Sequence, residues 1–139
     1  MPVITTLAFL GRTEEALDFY AKAMNAETIF LMRFRESPDQ AHTQEGMGDL
    51  IFHATFRIEE TVFMASDVGF SKDGATGEFN GFSLALRLSS IERAMQIFKA
   101  LSQEGQVVIP LEKSKFTSWY GIVVDPFGIS WKINVDENE

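Results

Sequence analysis

The spacing of hydrophobic residues along the chain switches between the period of a strand and the period of a helix. These switches mark where the predicted elements begin and end. Over residues 2–10 apolar and β-branched side chains alternate with others, which predicts a strand. Over residues 14–24 they recur three and four positions apart, which predicts an amphipathic helix. Alternation returns at 27–35, 49–58 and 61–66, and these segments are predicted as three more strands. The predicted order of the first part is therefore βαβββ.

The same order is predicted a second time after a linker rich in Gly, Asp and Ser at 67–80. A strand is predicted at 81–88 and a helix at 91–103, followed by strands at 106–112, 117–124 and 129–135. The helices carry the repeat, since Glu14, Ala16, Leu17, Phe19 and Tyr20 recur about 78 positions later as Glu92, Ala94, Met95, Ile97 and Phe98. Two similar modules are therefore expected.

Composition and charge exclude several classes of protein. The 139 residues suit one domain, and no apolar run approaches the roughly 20 residues of a membrane-spanning helix. The net charge of −8 argues against a nucleic-acid partner, because phosphate binding requires a basic surface. Cysteine is absent, which excludes disulfides and thiolate chemistry, and the N-terminus has no signal-peptide pattern. A cytoplasmic protein is expected.

Five segments in order carry a resemblance to a known family. They are TEEALDFYAKAM, IFHATFRI, VFMASD, GFSLAL and YGIVVDPFGISWKINV. The chain resembles the PhnB-like branch of the vicinal-oxygen-chelate superfamily, which includes glyoxalase I, bleomycin-resistance proteins and extradiol dioxygenases. The resemblance implies an α+β fold in one domain of residues 1–139, in which modules 1–66 and 81–135 form a curved mixed sheet around a cleft. It also implies a homodimer.

Metal-dependent members of that superfamily place ligands on four strands, and the resemblance maps these positions onto this chain. They fall on Thr5, Met64, Ser83 (Phe82 if the alignment shifts by one) and Lys132. Divalent cations require carboxylate or imidazole donors, and a lysine ammonium repels a metal. We therefore expect no metal at this cluster and no cofactor.

Strand alternation then assigns side chains to the cleft. With Thr5, Ser83 and Lys132 facing the cleft, the same face is expected to carry Val3, Leu7, Phe9, Ala85, Arg87, Ser130 and Asn134. His53, Thr55 and Arg57 are expected there too, because their apolar neighbours form the helix-facing set. Phe116 and Trp119 are candidates to line the walls of the cleft. Cations and hydroxyls amid apolar surface suit a small organic anion.

Two of these residues have alternative interpretations. His53 is a candidate general acid or base, or a strand histidine hydrogen-bonded to a neighbour. Lys132 is a candidate to meet an anionic ligand or form a Schiff base, or a lysine that faces solvent or an ion-pair partner.

Three functions remain open from the sequence. The first is a metal-independent protein that binds a small molecule. The second is a glyoxalase- or dioxygenase-like enzyme that works without metal through His53 and Lys132. The third is a metalloenzyme with displaced ligands, drawn from His42, Glu45, Asp49 and His53.

Overall fold

The structure, a computed structural model, describes residues 2–43, 45–70, 78–115 and 118–136. The chain forms two compact units, Met1–Gly77 and Glu78–Glu139. Among the described residues each unit contains one α-helix and one four-stranded sheet. Neither helix is long and apolar enough to cross a membrane.

The first unit has the predicted order of elements. Its elements are β1 (Thr6–Ala8), α1 (Thr13–Met24), β2 (Glu27–Arg33), β3 (Ile51–Ile58) and β4 (Thr61–Ser66). The strand order is β1-β4-β3-β2, with β1 parallel to β4 and the other neighbours antiparallel. Two 3-10 turns, Phe34–Glu36 and Gln40–His42, follow β2, and Met47 in the polar segment beyond them is buried.

The second unit repeats this arrangement. Its elements are β5 (Leu84–Leu88), α2 (Ile91–Ser102), β6 (Gln106–Lys113), β7 (Trp119–Val124) and β8 (Ser130–Val135). The strand order is β5-β8-β7-β6, and the first pair in it, β5 with β8, is again parallel. The predicted α+β class with two βαβββ modules is confirmed.

Each helix covers one face of its own sheet. Helix α1 buries Tyr20, whose ring is stacked on that of Phe56 at 6.3 Å between centroids, and Phe56 is stacked on Phe63 at 5.3 Å. Helix α2 buries Phe98 close to Gly121, where an added Cβ would lie 2.9 Å from the Phe98 ring. A glycine in β7 therefore permits this close approach of helix and sheet.

A buried aspartate organises the turn into α1. Asp67 follows β4, is fully buried, and its Oδ1 accepts hydrogen bonds from the backbone N–H groups of Gly11 and Thr13 and from the Thr13 hydroxyl. Its Oδ2 accepts from the Ile51 N–H at 2.9 Å. In the second unit Asp125 accepts from the Trp131 indole N–H at 2.8 Å. Each carboxylate thus accepts hydrogen bonds from buried donors, which need an acceptor within the folded protein.

The register of β1 corrects one expectation from the sequence. Leu7 and Phe9 are 2% and 5% exposed, and Leu7 pairs with Ala65, which is fully buried. Leu7 and Phe9 therefore lie on the helix side, and the expectation that they face away from the helices is wrong. The residue that pairs with Met64 is Thr6.

Candidate functional site

The sheet of the second unit has an open face on the side opposite α2. Trp131, Ile133 and Val135 are buried on the helix side, so the alternate residues of β8 project from the other face. Residues paired with them across β5 and β7 share that face. The open face of the second sheet, as the name is used below, comprises Ser83, Ala85, Arg87, Tyr120, Ile122, Val124, Ser130, Lys132 and Asn134.

Lys132 lies at the centre of this open face. Strand β8 is an inner strand, and Lys132 is flanked by Ala85 on β5 and by Ile122 on β7. Its side chain is exposed, and among residues 2–43, 45–70, 78–115 and 118–136 no carboxylate forms an ion pair with it. A cation thus projects from the middle of the sheet between two uncharged neighbours.

Two hydroxyls lie next to Lys132 on the side towards the start of β8. The hydroxyls of Ser83 and Ser130 are hydrogen-bonded at 3.0 Å. Ser83 precedes Ala85 by two positions and Ser130 precedes Lys132 by two, so the four residues form a two-by-two block. Three of its four members are small, so within this block no other long side chain stands beside the lysine stem.

The other end of the open face is also polar. Asn134 pairs with Arg87 on β5 and with Tyr120 on β7, and the Arg87 side chain is exposed. Trp119 pairs with Val135, a residue of the helix side. Tyr120, rather than Trp119, is therefore the aromatic residue that shares a face with Lys132.

The remaining predicted site residues belong to the first unit, except Phe116, which lies outside the described residues. His53 and Met64 are half-buried on the face of the first sheet opposite α1. The His53 Nε2 lies 3.3 Å from the Thr55 hydroxyl. The exposed Thr5 precedes β1, and its carbonyl accepts from the Met64 N–H at 3.0 Å.

The side chains at the positions that the resemblance maps onto metal ligands do not fit a divalent cation. Lys132 and Met64 offer an ammonium and a thioether, and their partners in the parallel strand pairs are Ala85 and Thr6. Such cations take carboxylate, imidazole or multiple oxygen donors. Within the described part of the chain no three His, Asp or Glu side chains come together as a metal site. The side chain of His42, one of the proposed displaced ligands, lies outside that part.

Sequence reasoning assigned Ser83, Arg87 and Lys132 to a common face, and the structure brings these three together. It did not identify the hydrogen bond between Ser83 and Ser130 or the place of Tyr120. The alternation of β8 did place Ser130 on the face of Lys132, because the two positions have the same parity.

Comparison with known proteins places this fold and chain in a family. A family model described as 3-demethylubiquinone-9 3-methyltransferase matches residues 2–134. The chain belongs to this family. It is 28% identical to the protein YjdN of Escherichia coli over 143 residues, which cover 97% of this chain and 95% of YjdN.

Solved structures agree with this assignment. The PhnB protein of Bacillus cereus is 26% identical, with a TM-score of 0.79 over 97% of this chain and 99% of that one. Protein PA1353 of Pseudomonas aeruginosa is 26% identical with a TM-score of 0.84, and 98% of each chain is covered. A member of the glyoxalase/bleomycin-resistance/dioxygenase superfamily from Sphaerobacter thermophilus is 15% identical, with a TM-score of 0.57 over 98% of each chain, and shows the shared fold. The resemblance to the PhnB-like branch is confirmed.

Proposed function

We propose that this protein binds a small organic anion on the open face of the second sheet. The observation that carries the proposal is Lys132, an exposed cation on an inner strand with no ion-pair partner among the described residues. The chain has 20 acidic and 12 basic residues, so partners for a lysine are abundant in its composition. A lysine kept apart from them suits an anion that comes from outside.

The neighbours of Lys132 add further groups that can contact an anion. An ammonium provides three donors on a flexible stem, and the Asn134 amide can add donors and an acceptor. Arg87 brings a second cation to the same face. Ile122 beside Lys132 offers apolar contact. Small-molecule sites combine apolar surface with a few polar groups in this way.

The proposal rests on these side chains and not on the activity in the family description. Family membership fixes a fold, whereas an activity must be argued from the groups at the site. The polar groups on the open face are two cations, hydroxyls and an amide. These groups bind and orient an acid, and the proposed function is accordingly binding.

The test compares small carboxylic acids with their amides and methyl esters in a thermal-shift assay. A ligand present at 100 times its Kd stabilises the folded protein by about 2.7 kcal/mol, which corresponds to a rise in Tm of roughly 8 °C at this chain length. We expect some acids to raise Tm while their neutral counterparts do not. The substitution Lys132→Met should remove this preference.

The matched control is Lys99→Met, which removes an exposed lysine from α2. This variant should keep the preference for acids. Equal shifts from acids and amides would refute the proposal, as would a Lys132→Met variant that retains the preference shown by Lys99→Met.

We also propose that two copies of the chain associate through the edge strand β6. Strand β6 ends the order β5-β8-β7-β6, and Val107, Val108 and Ile109 on it are 45%, 53% and 42% exposed. An apolar edge strand favours contact with another chain. Covering it with a second copy would remove this apolar surface from water.

Light scattering on the eluting protein tests the association. The wild type should give twice the 15.6 kDa mass of the chain, and Val108→Lys should give a monomer. Met95→Lys places the same charge on an exposed apolar residue of α2 and should remain dimeric. A monomeric wild type, or a dimer unaffected by Val108→Lys, would contradict this proposal.

A further inference from the structure

We infer that the anion bound at Lys132 carries a hydroxyl or carbonyl oxygen near its acid group, so that the ligand class is a hydroxy- or oxo-carboxylate. This inference rests on the proposed function and names the chemistry of the same site. It arises from the block of Ser83, Ala85, Ser130 and Lys132, in which two hydroxyl-bearing residues lie one row from Lys132 along the strands.

The two serine hydroxyls can bind a further oxygen. Each hydroxyl has one donor and two acceptor lone pairs, and the bond between Ser83 and Ser130 uses one donor and one acceptor. One O–H donor and several lone pairs therefore remain, whichever serine donates. A ligand hydroxyl can both donate and accept here, and a carbonyl can accept. An apolar ligand atom over the pair would remove this donor from water without replacing its partner.

The geometry of the sheet limits the size of the ligand. Positions two apart on a strand are separated by about 6.7 Å, and neighbouring strands by about 4.8 Å. The hydroxyls and the base of the Lys132 stem are therefore close enough for one short ligand to contact both. Ala85 opposite Lys132 has no side chain beyond Cβ, so the space next to the lysine stem is open towards β5.

The Lys132 side chain and the two serine side chains reach to different heights above the sheet, and this difference orients the ligand. Lysine reaches far above the sheet, whereas serine ends two bonds from the backbone. The acid group is therefore expected at the outer level, against the ammonium, and the hydroxyl or carbonyl at the inner level, against the serines. Ser130 is half-buried and Ser83 is exposed, so the inner level remains accessible.

Isothermal titration with matched C4 acids tests the inference. The probes are butyrate, 2-hydroxybutyrate, 3-hydroxybutyrate and 2-oxobutyrate, with 3-hydroxybutyramide as the uncharged counterpart. At least one substituted acid should bind about tenfold more tightly than butyrate, which is the effect of one added hydrogen bond. In the double variant Ser83→Ala, Ser130→Ala that preference should be lost, so that the substituted acids bind no more tightly than butyrate does.

The control is Ser89→Ala, which removes an exposed hydroxyl just after β5. It should leave the tenfold preference intact. Equal affinity for butyrate and all substituted acids would overturn the inference but leave the anion proposal standing. A preference that survives in the double variant would overturn it too. Failure of every acid to bind would remove both proposals together.

Discussion

Removal of the buried carboxylate of Asp67 is expected to destabilise the first unit strongly. Asp67 accepts four hydrogen bonds, from Gly11, from the backbone and hydroxyl of Thr13, and from Ile51. These donors come from the turn before α1, from the first residue of α1 and from the start of β3. One side chain therefore joins the end of β4 to the start of α1 and to the start of β3, three segments that are distant in sequence, and its loss should be felt in all of them.

The magnitude follows from the donors that lose their acceptor. In Asp67→Ala the Thr13 hydroxyl can rotate towards another acceptor, but the buried N–H groups of Thr13 and Ile51 cannot, and both lose their hydrogen bonds. Each buried donor without an acceptor costs about 1–3 kcal/mol, so the expected loss is roughly 2–6 kcal/mol. In Asp67→Asn the amide oxygen can replace Oδ1, but the amide nitrogen then faces the Ile51 N–H. One bond is lost, and the expected cost is about 1–3 kcal/mol.

Urea unfolding followed by circular dichroism measures these differences. The control is Asp18→Asn, which removes the same charge from an exposed position on α1 and should change the free energy of unfolding by less than about 0.5 kcal/mol. The expected order of stability is wild type and Asp18→Asn, then Asp67→Asn, then Asp67→Ala. If Asp67→Asn unfolds at the same urea concentration as Asp18→Asn, the argument from hydrogen-bond donors is refuted.

Two further predictions concern exposed glutamates. Glu104 has a φ of +59°, a left-handed backbone conformation that glycine adopts without strain, so Glu104→Gly should raise the free energy of unfolding in urea by about 1 kcal/mol. Glu104→Gln removes only the charge and should gain less. Equal gains in the two variants would contradict the backbone explanation. The hydrogen bond from Arg33 lowers the pKa of Glu14 in the folded state, so its stabilising effect is present above the unfolded pKa and lost as pH falls through the folded pKa. Glu14→Gln should therefore lower the urea midpoint slightly at pH 7 and converge with the wild type in acid; a constant difference at all pH values would refute this.

The elements could be predicted from the sequence because each has a clear period. In β8 the buried Trp131 and Ile133 alternate with Lys132 and Asn134, so both the strand and its faces follow from polarity. Strand β1 lacks this contrast, because apolar residues occupy both parities around it. Its face is set by parallel pairing with β4, a contact between segments distant in the chain.

The same distinction explains which parts of the candidate site could be predicted. Residues of one strand, such as Lys132 and Asn134, were assigned correctly to a common face by their spacing. The place of Trp119 depends on the antiparallel register of β7 with β8, which pairs it with Val135. A register between strands is not readable from the period of either strand alone. The hydrogen-bond partner of Ser83 could likewise be identified only from the pairing of strands in the structure.

The parallel pairing within each unit has a consequence for synthesis on the ribosome. Strand β1 emerges first, yet its sheet neighbour is β4, the last strand of the unit, and β5 depends on β8 in the same way. At about 5–20 residues per second, β1 waits for roughly 3–12 s before Met64 is made. The strands of the sheet therefore cannot all pair in the order in which they are translated. A message truncated before β4 would leave a nascent chain whose earliest strand has no place to dock, a product suited to chaperone capture or proteolysis.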